Sequence, residues 1–181
     1  MRESLKRVVV LTLIVLISSV VLYQAYNVME VEERTAAYKQ LKFKKMLKNI
    51  FPSATRDEYN EENDFYRIYS EDQCIGYAFM TIGKGYGGDI KILIGLNRDK
   101  TIRGIEIIKQ TETPGMGVKI TEKWFTDQFG NTTINEIGLK RSGGRIDAIT
   151  GATKSSRAVV NAVHEAVIEK IKLIEEAGGE K

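Results

Sequence analysis

One threonine in this 181-residue chain stands where a phosphate could be bound or attached. Thr153 lies where a predicted strand passes into a predicted helix. A helix N-terminus offers free N–H groups and the positive end of the helix dipole, and both favour a phosphate. Small residues before it would let a bulky group approach its hydroxyl. The residues leading up to it are Thr150, Gly151 and Ala152.

The residues after Thr153 support this interpretation without excluding an ordinary one. Lys154 and Arg157 add positive charge at the start of the helix. Hydroxyl side chains are also the usual helix N-caps, and Thr150, Thr153 or Ser155 could serve in that role alone. From the spacing, both an anion site and a simple cap remain open.

Two further glycine-containing loops, residues 83–89 and 110–119, allow a ligand to approach the backbone closely. Tyr86 in the first loop precedes Gly87 and Gly88, a sequence equally typical of a plain hairpin turn. The third glycine-containing loop, residues 147–156, carries Thr153, and its first residue, Asp147, is typical of a turn.

Alternating and apolar runs predict the strands that position these loops. The predicted strands are residues 65–70, 74–83, 90–97, 101–110 and 145–150. Residues 98–100 form a hairpin connection, so an antiparallel sheet is expected. Helical spacing of apolar residues predicts helices at residues 32–51, 120–129 and 155–176. The pattern indicates an α+β fold, with a mainly antiparallel sheet flanked by helices.

The N-terminal segment has the character of a membrane anchor. No charge occurs between Arg7 and Glu30, and residues 8–23 form an apolar run that approaches the roughly 30 Å of bilayer hydrocarbon. A cleaved signal peptide is the alternative, but the run is long for one and lacks a clear cleavage site. We therefore expect a cytoplasmic stub and single transmembrane helix in residues 1–29, followed by one domain in residues 30–181.

The charges on either side of the apolar run predict its orientation. Basic residues precede it and acidic residues follow it; they are Arg2, Lys6 and Arg7 before, and Glu30, Glu32 and Glu33 after. The positive-inside rule then places the N-terminus in the cytoplasm and the domain outside. Five lysines between residues 39 and 48 argue weakly for the opposite orientation.

The composition excludes several classes of protein. Lys and Arg number 27 against 24 Asp and Glu, a net charge of only +3, so a nucleic-acid-binding surface is not expected. One cysteine and one histidine cannot assemble a zinc site or a cysteine-ligated iron–sulfur cluster, so no metal is expected. If this protein carries electrons, it needs an organic cofactor.

Two motifs together resemble a known family. The TGAT sequence at residues 150–153 resembles the [ST]-G-A-T motif at which a flavin transferase attaches FMN. Residues 85–120, with a glycine turn, a hairpin and the sequence ETPGMG, resemble the body of the same FMN-binding domain. With the N-terminal anchor, the chain is similar to the family of Rnf electron-transport complex G subunits. NqrC, a relative from the sodium-pumping NADH:quinone oxidoreductase, shares the motifs but is generally longer.

The resemblance implies roles for individual residues. Thr153 would carry FMN through a phosphoester, with FAD as the donor and AMP as the leaving group, and the transferase would supply the metal and the catalysis. Asp147 would serve transferase recognition or fix the turn. The flavin ring would lie near one loop and near Tyr86. That loop contains Glu112, Thr113, Pro114 and Gly115.

The implied function is a membrane-anchored covalent flavoprotein that relays electrons between ferredoxin and NAD, coupled to Na⁺ or H⁺ movement. It would act within a complex in the cytoplasmic membrane, alongside integral membrane, iron–sulfur and flavin subunits. The alternatives are the C subunit of a Na⁺-translocating NADH:quinone oxidoreductase, or a membrane-tethered FMN-binding sensor or assembly module. A structural protein with a plain helix cap is a further one.

Overall fold

The computed structural model describes residues 2–177, except for the side chains of residues 2–5, 8–9, 24–39 and 177. The chain divides into two compact units, Met1–Phe43 and Lys44–Lys181. The sequence also predicts a frayed C-terminal tail at residues 175–181. Its first three residues belong to the last helix, which ends at Ala177, and residues 178–181 lie outside the described part.

The first unit belongs to one long helix, α1 (Arg2–Ile50), which also contains most of the predicted helix at residues 32–51. Its large apolar side chains between residues 10 and 23 are exposed. Among the side chains that the structure describes, no helix carries an apolar stretch long enough to cross a membrane. Residues 8 and 9 of the predicted span, and the acidic residues that follow it, lie outside the described side chains.

The second unit is built on a five-stranded sheet. Its strands are β1 (Arg56–Asn60), β2 (Phe65–Ser70), β3 (Gln73–Lys84), β4 (Asp89–Asn97) and β5 (Ile102–Lys109). Neighbours along the chain pair antiparallel, in the order β1-β2-β3-β4-β5. The predicted antiparallel sheet is therefore confirmed, and the hairpin at residues 98–100 joins β4 to β5 as expected.

One face of the sheet forms the main core with the C-terminal helix, α3 (Thr153–Ala177). The stripe of apolar residues predicted for this helix is packed there, with Val159, Val163 and Val167 fully buried. The helix approaches β3 closely, since a Cβ added at Gly83 would lie 2.7 Å from the carbonyl oxygen of Ala158. This close packing fixes the start of α3 relative to the ends of β3 and β4.

The other face of the sheet receives the end of α1 and the residue that follows it. A Cβ at Gly95 would lie 2.3 Å from Ile50 and 2.8 Å from the ring of Phe51, and one at Gly76 would also meet that ring. Arg103 donates from Nε to the carbonyl oxygen of Ile50 at 2.9 Å and lies over the Phe51 ring. The last turn of α1 is thus part of the second unit.

The predicted helix at residues 120–129 is wrong as a single helix. A 3₁₀ turn (Gly117–Thr121), the short helix α2 (Lys123–Thr126) and a second 3₁₀ turn (Asp127–Phe129) replace it, with Glu122 extended between the first two. Ile120 and Phe125 are both fully buried. Five residues apart on one helix they would point about 140° away from each other. The break at Glu122 lets both enter the core.

The predicted strand at residues 145–150 is also wrong. Only an isolated bridge between Ile146 and Leu139 forms there. The buried residues are Ile146 and Ile149, three apart, which does not match the two-residue period of a strand. Backbone carbonyl groups accept from Arg145 and Ile146, but beyond them side chains take over, since the Asp147 N–H donates to Gln128 Oε1 and the Ile149 N–H donates to Ser156 Oγ at 3.0 Å.

Candidate functional site

The three glycine-containing loops singled out above meet around Glu112. Glu112 is a buried residue, only 5% exposed. Its Oε1 accepts a hydrogen bond from the N–H of Gly87 at 3.0 Å, and its Oε2 accepts one from the N–H of Tyr86 at 3.3 Å. The hydroxyl of Ser155, in the first turn of α3, also donates to Oε2. One side chain therefore joins the β3–β4 turn, the loop after β5 and the start of α3.

The glycines of these loops are placed where a side chain would collide. A Cβ at Gly85 would lie 2.1 Å from Glu112 Oε1, and one at Gly117 would lie 2.7 Å from Glu112 Cβ. A Cβ at Gly87 would lie 2.2 Å from the Thr111 carbonyl oxygen. Burying the Glu112 carboxylate among backbone groups thus requires glycine in two of the loops.

A cavity of about 430 Å³ opens beside this junction. All three loops contribute to its lining, which consists of Tyr86, Thr113, Met116, Gly117, Gly151, Ala152, Lys154 and Ser155. Its volume lies within the range of about 300 to 1,000 Å³ typical of small-molecule sites. Gly151 has φ +80°, and a Cβ there would meet Met116 Sδ at 3.4 Å. A side chain at position 151 would therefore be strained and would narrow the cavity.

The hydroxyl groups at the start of α3 have separate tasks. Ser155 donates to Glu112, and Ser156 donates to the Ala152 carbonyl oxygen at 3.0 Å. Thr153 is the first residue of the helix and is partly buried. Among the described residues, neither Thr150 nor Thr153 uses its hydroxyl in a hydrogen bond. Thr153 is not part of the cavity lining, although both of its neighbours are.

Lys154 brings the positive charge to the cavity. Its Nζ lies 5.2 Å from the centroid of the Tyr86 ring, within the range of a cation–π contact. Tyr86 is itself 68% exposed. The cavity therefore combines the aromatic face of Tyr86, from the β3–β4 turn, with the ammonium group of Lys154, from the first turn of α3. Arg157 is exposed and does not line the cavity.

Asp147 lies in the turn before α3 and is held away from the cavity. Its Oδ2 pairs with Lys140 Nζ at 2.5 Å, and its N–H donates to Gln128 Oε1 at 2.7 Å. These contacts fix the turn that leads to Thr150.

The loop predicted to approach a flavin ring contributes unevenly. Thr113 lines the cavity, whereas Glu112 is buried beneath it, and Pro114 and Gly115 lie on the exposed turn. Gly115 has φ +77° with open space around it. Met116 and Gly117 end the loop that the resemblance indicates as a wall for the ring, and both line the cavity. Ser155, which the spacing suggests only as a helix cap, lines it as well.

A second cavity, of about 440 Å³, lies between the end of α1 and α2. Its lining mixes both signs of charge, with Arg103, Glu106, Lys123 and Asp127 among the residues. None of the residues that the sequence singles out for the flavin lies in it.

The residues around the first cavity suit a flavin nucleotide. A phosphate at Thr153 would lie at a helix N-terminus, beside the ammonium group of Lys154. Tyr86 and Met116 offer exposed apolar surfaces to a planar ring, and Gly151 keeps the wall between them free of a side chain. The arrangement would therefore bring a phosphate at Thr153 and a planar ring in the cavity next to each other.

Comparison with known proteins gives a consistent result. Residues 85–168 match the model of a family described as an FMN-binding domain, and this range contains every residue that lines the first cavity. The G subunit of an ion-translocating oxidoreductase complex from Methanosarcina acetivorans is 32% identical over 178 residues, covering 92% of this chain and 94% of that protein. The G subunit of a proton-translocating ferredoxin:NAD⁺ oxidoreductase complex from Clostridium ljungdahlii is 29% identical, covering 87% and 86%.

A solved structure also resembles this fold. The C subunit of the Na⁺-translocating NADH-quinone reductase from Parabacteroides distasonis superposes with a TM-score of 0.52 at 26% identity, covering 60% of each chain. The similarity to the two G subunits extends over nearly the whole chain. The chain therefore belongs to the family of ion-translocating oxidoreductase complex G subunits, and the cavity described above lies within its FMN-binding domain.

Proposed function

We propose that this chain is the membrane-anchored flavoprotein subunit of an Rnf-type ferredoxin:NAD oxidoreductase, and that it relays electrons through FMN attached to Thr153. One observation supports Thr153 as the attachment site. In a chain of this family, the threonine of the TGAT sequence begins α3, directly beside the cavity, with a hydroxyl that no described residue engages.

Thr153 would act as an acceptor and not as a catalyst. Its Oγ would form the bond to phosphorus while the pyrophosphate bond of FAD breaks, AMP leaves, and the hydroxyl proton passes to the transferase. A phosphoester holds the cofactor by its tail and leaves the ring chemistry of FMN unchanged. The tether also keeps the cofactor at a high effective concentration outside the cytoplasm.

The remaining residues would bind and orient the cofactor. Lys154 and the N–H groups of the first turn of α3 would neutralise the phosphate. Tyr86 and Thr113 would contact the ring from two different loops. Thr150, Gly151 and Ala152 keep the approach to Thr153 free of bulk. Asp147 fixes the preceding turn through Lys140 and Gln128.

The apolar part of α1 would anchor the protein in the cytoplasmic membrane. Sixteen uncharged residues at positions 8–23 support this, together with the exposure of the large apolar side chains at residues 10–23, which water would not favour. Residues 1–29 would then form the stub and anchor, and residues 30–181 the extracytoplasmic domain. The orientation rests on the basic residues before the span.

The partners would be the other subunits of the complex, which supply iron–sulfur and nucleotide chemistry, and a flavin transferase during maturation. A second candidate function is that of the C subunit of a Na⁺-translocating NADH:quinone oxidoreductase. The resemblance to the Parabacteroides distasonis structure favours it.

Intact mass spectrometry tests the proposal. The full-length protein, produced with the transferase, should gain the mass of one FMN less one water, and Thr153→Ala should abolish the gain. Thr150→Ser is the matched control, because it changes a residue of the same motif but keeps the hydroxyl that the first position of the motif requires. A gain that survives in Thr153→Ala would contradict the assignment of the acceptor, and no gain in the unaltered chain would contradict covalent attachment.

A further inference from the structure

We propose that Glu112 is the positioning residue of this site. Its buried carboxylate would set the distance between the Tyr86 wall of the cavity and the first turn of α3, without touching the flavin. The inference rests on the proposed function for its link to flavin attachment, but its geometric part concerns this chain alone.

The contacts of Glu112 are the first support. Two backbone N–H groups from the β3–β4 turn and one hydroxyl from α3 all donate to the same carboxylate. Tyr86 and Ser155, two of these three donor residues, also line the cavity. A single side chain beneath the cavity therefore holds two of its walls, which come from segments more than sixty residues apart in the sequence.

The burial of Glu112 is the second support. A carboxylate removed from water costs free energy unless hydrogen bonds replace its hydration. Apolar side chains packed at this junction would hold the loops together without the cost of desolvating a carboxylate. Gly85 and Gly117 both leave room for Glu112, at distances where a Cβ would collide with it. The fold thus accommodates a charged group whose donors come from loops that also surround the cavity.

The link to attachment follows from the position of Ser155. Thr153 lies two residues before Ser155 in the first turn of α3. Fixing the Ser155 hydroxyl against Glu112 therefore fixes the turn that presents the Thr153 hydroxyl. Displacements near 1 Å can slow a reaction between positioned groups by about a hundredfold.

Three substitutions of Glu112 differ in which of its hydrogen bonds they can keep. Glu112→Gln can keep its amide oxygen toward the Gly87 N–H while its NH₂ group donates to Ser155 Oγ, so only the longer bond from Tyr86 is lost. Glu112→Asp is one methylene shorter and cannot span both partners. Glu112→Ala removes every contact.

Hydrogen exchange of the full-length, FMN-free protein, followed in peptides covering residues 85–88 and 153–157, tests the geometric part. We expect exchange in residues 85–88 to be at least about tenfold faster in Glu112→Ala and Glu112→Asp. In Glu112→Gln the Gly87 amide should exchange at close to its normal rate, and only the Tyr86 amide should exchange faster. Unchanged protection of residues 85–88 in Glu112→Ala would overturn the proposal.

The rate of FMN attachment by the transferase, followed by intact mass, tests the link to the site. We expect at least about tenfold slower attachment in Glu112→Ala and Glu112→Asp, and a rate within about twofold in Glu112→Gln. Val167→Ala is the control, since it destabilises the same helix from the core, about 21 Å along its axis from Thr153.

The hydrogen-exchange and attachment-rate experiments together distinguish a failure of this inference from a failure of the proposed function. Equal slowing in Val167→Ala would show that attachment follows stability alone and would overturn the positioning role, as would a normal rate in Glu112→Ala. If the unaltered chain accepts no FMN, the proposed function fails. Hydrogen exchange then decides by itself whether Glu112 holds the loop to the helix.

Discussion

At the scale of single residues, Lys154 carries the only ammonium group in the described lining of the cavity beside Glu112, where it lies over the Tyr86 ring. A nearby positive charge favours a reduced flavin that has gained negative charge. If FMN lies in this cavity as proposed, we expect Lys154→Gln to lower its reduction potential by about 30 mV, which corresponds to about 1.4 kcal/mol for two electrons.

Spectroscopic redox titration measures this shift. Arg157→Gln is the control, because Arg157 is an exposed cation on the same helix that does not line the cavity. Equal shifts in both variants would mean that Lys154 has no special position, and an unchanged potential in Lys154→Gln would contradict the proposed place of the flavin beside Lys154.

The residues of the site differ in how far the sequence predicts them. Thr153, Lys154, Thr113 and Tyr86 could be singled out because motif and spacing are local. The role of Glu112 could not, because its donors come from two other loops that meet only in the folded chain. The sequence placed Glu112 near the ring, whereas the structure buries it beneath the cavity.

At the scale of elements, the 3₁₀ turn Ile134–Glu136 predicts an acid-sensitive contribution to stability. The Thr133 N–H donates to Glu136 Oε2 at 2.7 Å, and the Thr133 hydroxyl donates to the same oxygen at 2.8 Å. These hydrogen bonds hold the pKa of Glu136 below its usual value, and the one from the backbone N–H has the larger effect. A depressed pKa in the folded state stabilises the protein above the unfolded pKa, and this stabilisation is lost as the pH falls through the folded pKa.

Glu136→Gln should therefore be less stable than the unaltered protein near pH 7, and the difference should shrink as the pH falls below the usual pKa of glutamate. Urea unfolding at a series of pH values measures it. Glu165→Gln is the control, since the exposed Glu165 accepts no hydrogen bond among the described residues. A difference independent of pH would contradict the expectation.

The elements themselves show where local pattern is sufficient. β2 to β5 and α3 were predictable because their apolar residues repeat with the period of a strand or a helix. β1 was missed because Arg56–Asn60 is a polar strand at the sheet edge, stabilised by pairing with β2 rather than by burial. The predictions for residues 120–129 and 145–150 were wrong because the buried residues of these segments have spacings that only the completed core explains.

At the scale of the whole molecule, the proposed anchor predicts how the protein behaves in cells. The full-length chain should stay in the membrane fraction after washing at high salt and alkaline pH, and a form lacking residues 1–29 should be released. Protease added to spheroplasts should digest the domain if it faces outward. Release of the full-length chain would contradict the anchor, and protection of the domain would contradict the orientation alone.

The contact of Phe51 with the glycines of the sheet determines where a soluble fragment can begin. The boundary between the two units falls at Phe43 and Lys44, within the continuous helix α1 rather than in a loop. A fragment starting at Lys44 keeps Ile50 and Phe51 over Gly76 and Gly95. A fragment starting at β1, the first strand, would leave those backbones open to water and prone to aggregate. Limited proteolysis should therefore yield a stable fragment only when cleavage spares the last turn of α1.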